Sequence, residues 1–137
     1  MYKRILCPVI IVGLLIGLVA ITGCTPPQLK PDLVPANPEG WAGFCDIDDN
    51  GNLVVHVKNQ GNAPAGSSYV KVDFGPQLGF FVKPVPVLSV GETATVLFPI
   101  PRGCFTPDCG FTITVDAHND IDESNEENNT VMGNCLG

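Results

Sequence analysis

Basic side chains are scarce in this chain. Seven Lys and Arg stand against 14 Asp and Glu in 137 residues, for a formal charge of −7. A nucleic-acid binder needs a basic footprint to neutralise phosphate, so that class is excluded. Helical periodicity is missing beyond the N-terminal segment, which excludes a helical bundle. There are only two histidines, His56 and His118. Neither belongs to a Cys–His set or a metalloprotease helix, and no nucleophile elbow or phosphate loop is present. An enzyme is therefore not expected. What the chain has in quantity is turn formers, with 15 Gly and 13 Pro, as in a turn-rich β protein. The length supports one ordinary domain.

Much of the apolar content sits in one block. Met1-Tyr2-Lys3-Arg4 is a short basic region, and Ile5 to Ile21 is almost wholly apolar. That block could just cross a hydrocarbon core as a retained anchor. The residues after it favour cleavage instead. Ile21-Thr22-Gly23-Cys24 resembles the bacterial lipobox, in which small residues fit a signal peptidase and the cysteine thiol takes a diacylglyceryl group. The expected organisation is a signal peptide over 1–23, a lipidated Cys24 with a Pro-rich linker over 24–30, and one domain over 31–137. Loss of Lys3 and Arg4 leaves five bases against 14 acids. Such a body does not adhere electrostatically to anionic lipid, so the acyl chains must do the anchoring.

Alternation with a period of two recurs through the rest of the chain. Leu53, Val55 and Val57 share one face, as do Val70, Val72 and Phe74. So do Ala94, Val96, Phe98 and Ile100, and then Phe111, Ile113 and Val115. Pro31 to Val34 reads as a first edge strand. Leu78 to Val87, with two prolines, reads as one or two irregular edge strands, and Asn129 to Leu136 as the last strand. About seven short strands separated by turn signals predict an all-β, antiparallel, immunoglobulin-like sandwich.

Several runs carry a family resemblance. They are Pro31-Asp32-Leu33-Val34, then Val57 to Gly66 with its Asn59-Gln60-Gly61-Asn62 turn, then Leu88 to Val96. Val115-Asp116 follows, and finally Asp120 to Asn129 with Glu123-Ser124-Asn125-Glu126-Glu127-Asn128-Asn129. In that order they resemble the CARDB domain, the cell-adhesion-related domain found in bacteria. The resemblance implies a seven-stranded sandwich on exported proteins, usually beside enzymatic or adhesive domains. Here the module is expected to stand alone behind a lipid anchor.

Cys7 leaves with the signal peptide and Cys24 carries lipid, so Cys45, Cys104, Cys109 and Cys135 remain. An even number in an exported chain reads as two disulfides. A zinc site is the rival, but no CxxC pair supports it. With the resemblance in hand, all four cysteines fall at one pole of the sandwich. Three pairings are geometrically open. Cys45–Cys135 with Cys104–Cys109 is preferred, because the segment before the second strand often runs beside the last.

Two acidic loops are candidate cation sites. Asp46-Ile47-Asp48-Asp49-Asn50-Gly51 has the start of a calcium loop, with Asp46, Asp48 and Asn50 as ligands. The twelfth position, where a bidentate Glu belongs, is Val57 on a core face. The competing reading is a hairpin in which Asn50-Gly51 forms a type I′ turn. The second loop offers Asp116, Asp120 and Asp122, among further Glu and Asn residues. Oxygen ligands suit calcium, whereas Asp and Asn side chains also cap their own backbone in long loops. The turn readings are favoured, so no cofactor is expected, with calcium as the alternative.

The functional expectation is a lipid-anchored extracytoplasmic module of the bacterial cell envelope. It would touch the membrane through the lipid on Cys24 and present loops to a protein or glycan partner. Trp41, Phe44, Phe80, Phe81 and Phe105 are the candidate aromatic contacts. The alternative is a structural or assembly accessory of the envelope without a soluble ligand.

Overall fold

The computed structural model describes residues 27–37 and 43–137. The signal segment, Cys24 and Trp41 lie outside them. Seven strands form: β1 (Leu33–Ala36), β2 (Asn52–Asn59), β3 (Ser68–Asp73), β4 (Phe80–Val85), β5 (Thr93–Pro99), β6 (Cys109–Thr114) and β7 (Thr130–Cys135). They pair antiparallel in two sheets, β1-β2-β5 and β4-β3-β6-β7, as an immunoglobulin-like sandwich. The described residues contain no helix, and so none long and apolar enough to cross a membrane.

Alternation sets the core. Leu53, Val55 and Val57 of β2 and Val96 and Phe98 of β5 face Val70, Val72, Phe111 and Ile113 of the other sheet, and all are buried. A one-residue slip would turn each of these sets to solvent, so the register is strongly specified. Proline marks the edges. Pro35, Pro84 and Pro99 lie in β1, β4 and β5, each an edge strand, while the central strands β2, β3 and β6 have none. A residue without an N–H cannot serve a ladder on both sides. Lys83 closes the β4–β5 edge: its Nζ donates to Leu97 O and lies 5.4 Å from the Phe98 ring centroid.

Two local expectations are corrected. The first strand starts at Leu33 rather than Pro31. Pro31 has no N–H, and Asp32 N donates to the Asn59 side chain instead of a ladder carbonyl. The turn before β2 is not type I′. Gly51 N donates to Asp48 O, so Asp49 and Asn50 are its central residues, and only Gly51, at φ 79°, has positive φ in that turn. This is a type I turn followed by a left-handed glycine, the three-residue hairpin loop.

Cys45 bonds to Cys135 and Cys104 to Cys109. Cys109 stands opposite Cys135 in the β6–β7 register, so the four cysteines gather at one pole. The longer bridge ties the approach to β2 onto the edge strand β7.

Candidate functional site

The first acidic loop is engaged with itself. Asp48 Oδ1 accepts from Asn50 N at 2.9 Å and Asn52 N at 2.8 Å, and Oδ2 accepts from Asn52 Nδ2 at 3.0 Å. The Asn52 side chain, followed by these backbone donors, holds the Asp48 carboxyl below its ordinary value. Asp46 turns away to His56, with Oδ2 3.2 Å from Nε2. Asn50 is an exposed turn residue.

The second loop reaches across the molecule. Asp116, with φ 44°, accepts Asp120 N on Oδ1 and Ile121 N on Oδ2, both at 3.0 Å. Its neighbours then grip the start of the first strand and the segment before it. Glu123 Oε1 accepts Leu33 N, and Ser124 N donates to Pro31 O at 2.9 Å. Asn128 Nδ2 donates to Asp32 Oδ1 at 2.9 Å, and Lys30 pairs with Asp122 at 2.6 Å. From the other side, the 60–62 turn zips onto the same segment. Gln60 N donates to Asp32 O and Asn62 N to Lys30 O. Gly61 lies so close that a Cβ there would stand 2.5 Å from Asp32 N.

Asn59 completes the clamp. Fully buried, it donates to Ala63 O and Leu88 O and accepts from Asp32 N and Gly61 N. The runs that carry the family resemblance therefore meet in space. Sequence reasoning put Asn59 in a turn and missed that it is a saturated polar node. Its place at the end of an alternating strand, just before Gly61, was the available signal.

Under the clamp, oxygens of Asp116, Glu123 and Glu126 lie within 4.8 Å of one another. Asp116 and Glu123 are buried, Glu123 to 4% exposure. Burial, reinforced by the charges of Asp116 and Glu126, pushes the Glu123 carboxyl above its ordinary value, although hydrogen bonds from Leu33 and Asn129 oppose the shift. Asn129, 8% exposed, donates Nδ2 to Glu123 Oε2, while its Oδ1 is buried without a partner among the described residues. An oxygen-only donor set of this kind fits a hard cation. Of the three residues expected in this loop, only Asp116 belongs to the group. Asp122 faces Lys30, and Asp120 lies 3.8 Å from His118. Glu123 and Glu126, two of the loop's further Glu residues, complete the group.

The outer face of β4-β3-β6-β7 has a different character. Phe80, Val82 and Pro84 of β4 alternate outward, as do Tyr69, Lys71 and Asp73 of β3, and Thr112, Thr114, Thr130 and Met132 continue the surface. Lys71 and Asp73 are its only charges, and they pair at 3.5 Å. Phe80 is 61% and Met132 81% exposed, and the His118 ring packs at a tilt on Tyr69, 4.5 Å between centroids. The expected aromatics divide accordingly. Phe80 and Phe105 are exposed, while Phe44 and Phe81 pack against the core.

Paired cysteines mark an oxidising, extracytoplasmic setting. The CARDB family model matches residues 30–132. Among solved structures, the chain is similar to the 272–376 domain of a Methanosarcina acetivorans protein named as a cell surface protein. Their TM-score is 0.61 at 23% identity, over 79% of this chain and 92% of that one. It is also similar to a Pyrococcus furiosus CARDB domain in complex with di-metal ions, with a TM-score of 0.55 at 24% identity, over 80% of this chain and 94% of that one. No curated protein matches the chain. Taken with the sandwich topology, the family match is decisive: the chain belongs to the CARDB family.

Proposed function

We propose that this chain is an extracytoplasmic binding or adhesion module without catalytic activity. Residues 1–23 are cleaved as a signal peptide, a lipid on Cys24 holds the domain to a membrane, and residues 24–30 act as its stalk. The outer face of β4-β3-β6-β7 and its adjoining loops meet a protein or glycan partner. The observation that carries this reading is that face, which is neutral, threonine-rich and apolar in an otherwise acidic chain. Charge depletion with exposed aromatic and Met side chains is what the centre of an interface requires.

The test is retention of solubilised envelope protein and glycan on the immobilised, detergent-extracted full chain. Phe80→Asp and Met132→Asp, both at exposed positions, are expected to lower retention at least tenfold with an unchanged melting temperature. Unchanged retention would overturn the reading in favour of a structural accessory of the envelope. Intact mass of the membrane-extracted protein tests the anchor. Loss of residues 1–23 with a diacylglyceryl increment, both abolished in Cys24→Ser, is the expected result.

A divalent cation, calcium first, is the cofactor this reading admits, because of the buried, unpartnered Asn129 Oδ1 beside three converging carboxylates. Asp116, Glu123 and Glu126 would hold it, with Asn129. When bound, it would neutralise like charges under the clamp and so fix the loop against β1. The Pyrococcus domain's di-metal complex supports the idea. Its test is a calcium-dependent, EDTA-reversible rise in melting temperature.

A further inference from the structure

The opposite outer face carries the second feature of note. In the β1-β2-β5 sheet, Ala36 stands across from His56, His56 from Thr95, and Lys58 from Thr93. These outward residues leave a shallow depression of about 260 Å³, lined by Ala36, Asn37, His56, Lys58 and Thr93. Its wall is fixed by hydrogen bonding. His56 is gripped at both ring nitrogens, by Asp46 at 3.2 Å and by Thr95 Oγ1 at 3.2 Å.

Lys58 is the informative residue. Three of the described cations are already engaged: Lys30 with Asp122, Lys71 with Asp73, and Lys83 with Leu97 O. Lys58 and Arg102 make no ion pair among the described residues, and of the two it is Lys58 that stands exposed at the rim of a concavity. An ammonium is a donor only, so the partner it selects must be an acceptor, and an anion suits it best. The volume lies just below the range of pockets for drug-sized ligands and suits a single ring. The small apolar Ala36, with Thr93 and Lys58 beside it, offers one apolar surface and a hydrogen-bonding rim. A pyranose ring has that same division, with C–H faces and hydroxyl edges.

We infer that the β1-β2-β5 face holds a subsite for one carboxylate-bearing sugar ring, with Lys58 taking the carboxylate and Thr93 taking a hydroxyl. This site is separate from the neutral face of the other sheet and does not depend on it. It makes acidic glycan the ligand chemistry for this side of the domain.

The experiment is a titration of the detergent-solubilised full chain, oxidised, with galacturonate, galactose and acetate, followed by amide chemical shifts. Galacturonate is expected to bind saturably and shift the His56, Lys58 and Thr93 amides, with galactose and acetate each at least tenfold weaker. Lys58→Gln and Thr93→Val should each weaken galacturonate severalfold, with Lys58→Gln the larger loss and the melting temperature unchanged. Met132→Asp should leave galacturonate binding intact, which separates this site from the proposed partner face. Equal binding of acetate would reduce the site to an anion contact and overturn the sugar assignment. Equal binding of galactose, or galacturonate affinity unaltered in Lys58→Gln, would overturn the role of the carboxylate. No saturable shift with galacturonate would remove the site altogether.

Discussion

The chain's two acidic loops look alike as strings of residues, since both mix several carboxylates with Asn. The 46–51 loop is local. Asp48 serves the backbone of its own turn, and the loop is tied to the body by the neighbouring Cys45–Cys135 bridge. The 116–129 loop is non-local. Its side chains hold β1 through hydrogen bonds and bury two carboxylates in doing so. Carboxylates facing water with their own turn donors gain stability by ionising. Converging buried carboxylates lose it, unless a proton or a cation comes between them.

That contrast can be broken at several points, and the covalent tie should show the largest effect. Replacing Cys45 and Cys135 together by Ser frees a 90-residue separation, for which chain entropy predicts a loss of about 4–5 kcal/mol. Urea unfolding of the full chain would measure it. The same substitution at Cys104 and Cys109, five residues apart, should cost roughly half as much.

Next comes the backbone approach that supports the second loop. In Gly61→Ala the new methyl would lie 2.5 Å from both Asp32 N and Pro31 C, atoms of the main chain that cannot swing aside. A loss at the upper end of overpacking costs, about 3 kcal/mol, is expected. Gly51→Ala in the first loop meets nothing within 4 Å and carries only its positive φ. It should cost about 1–2 kcal/mol.

Smaller effects divide the loops by pH. Glu123 has its folded-state value raised, so its contribution is fully present below the ordinary value of 4.5 and is lost as pH rises through the folded value. In EDTA, wild type should therefore lose stability relative to Glu123→Gln as pH rises above 4.5. The Gln variant also lets Asn129 turn its free oxygen to a donor. Asp48 behaves oppositely. Its depressed value contributes stability above 3.8 that is lost as pH falls through the folded value. Asp48→Asn should flatten the acid limb of the stability profile slightly and leave the neutral range unchanged. A melting series across pH reads both.

The strands were legible in the sequence because a period of two states burial directly, as Leu53, Val55 and Val57 do. Proline positions likewise indicated the edges. The candidate site was legible only in part. Asp116, Asp120 and Asp122 look equivalent in sequence, yet one caps a loop, one faces His118 and one pairs with Lys30. Glu123 becomes the buried member because Leu33 N, 90 residues away, must find an acceptor. No local pattern encodes that partner. The clamp could be read only once Pro31–Val34 and Glu123–Asn129 were seen side by side.

The most direct measurement is thermal melting of the oxidised full chain at neutral pH, in EDTA and across a calcium series. Wild type, Glu123→Gln and Asp48→Ala would be compared. A saturable rise in melting temperature that persists in Asp48→Ala and vanishes in Glu123→Gln is the expected result. It would establish the non-local loop as the cation-responsive one. No rise in wild type, or a rise lost in Asp48→Ala and kept in Glu123→Gln, would contradict that account.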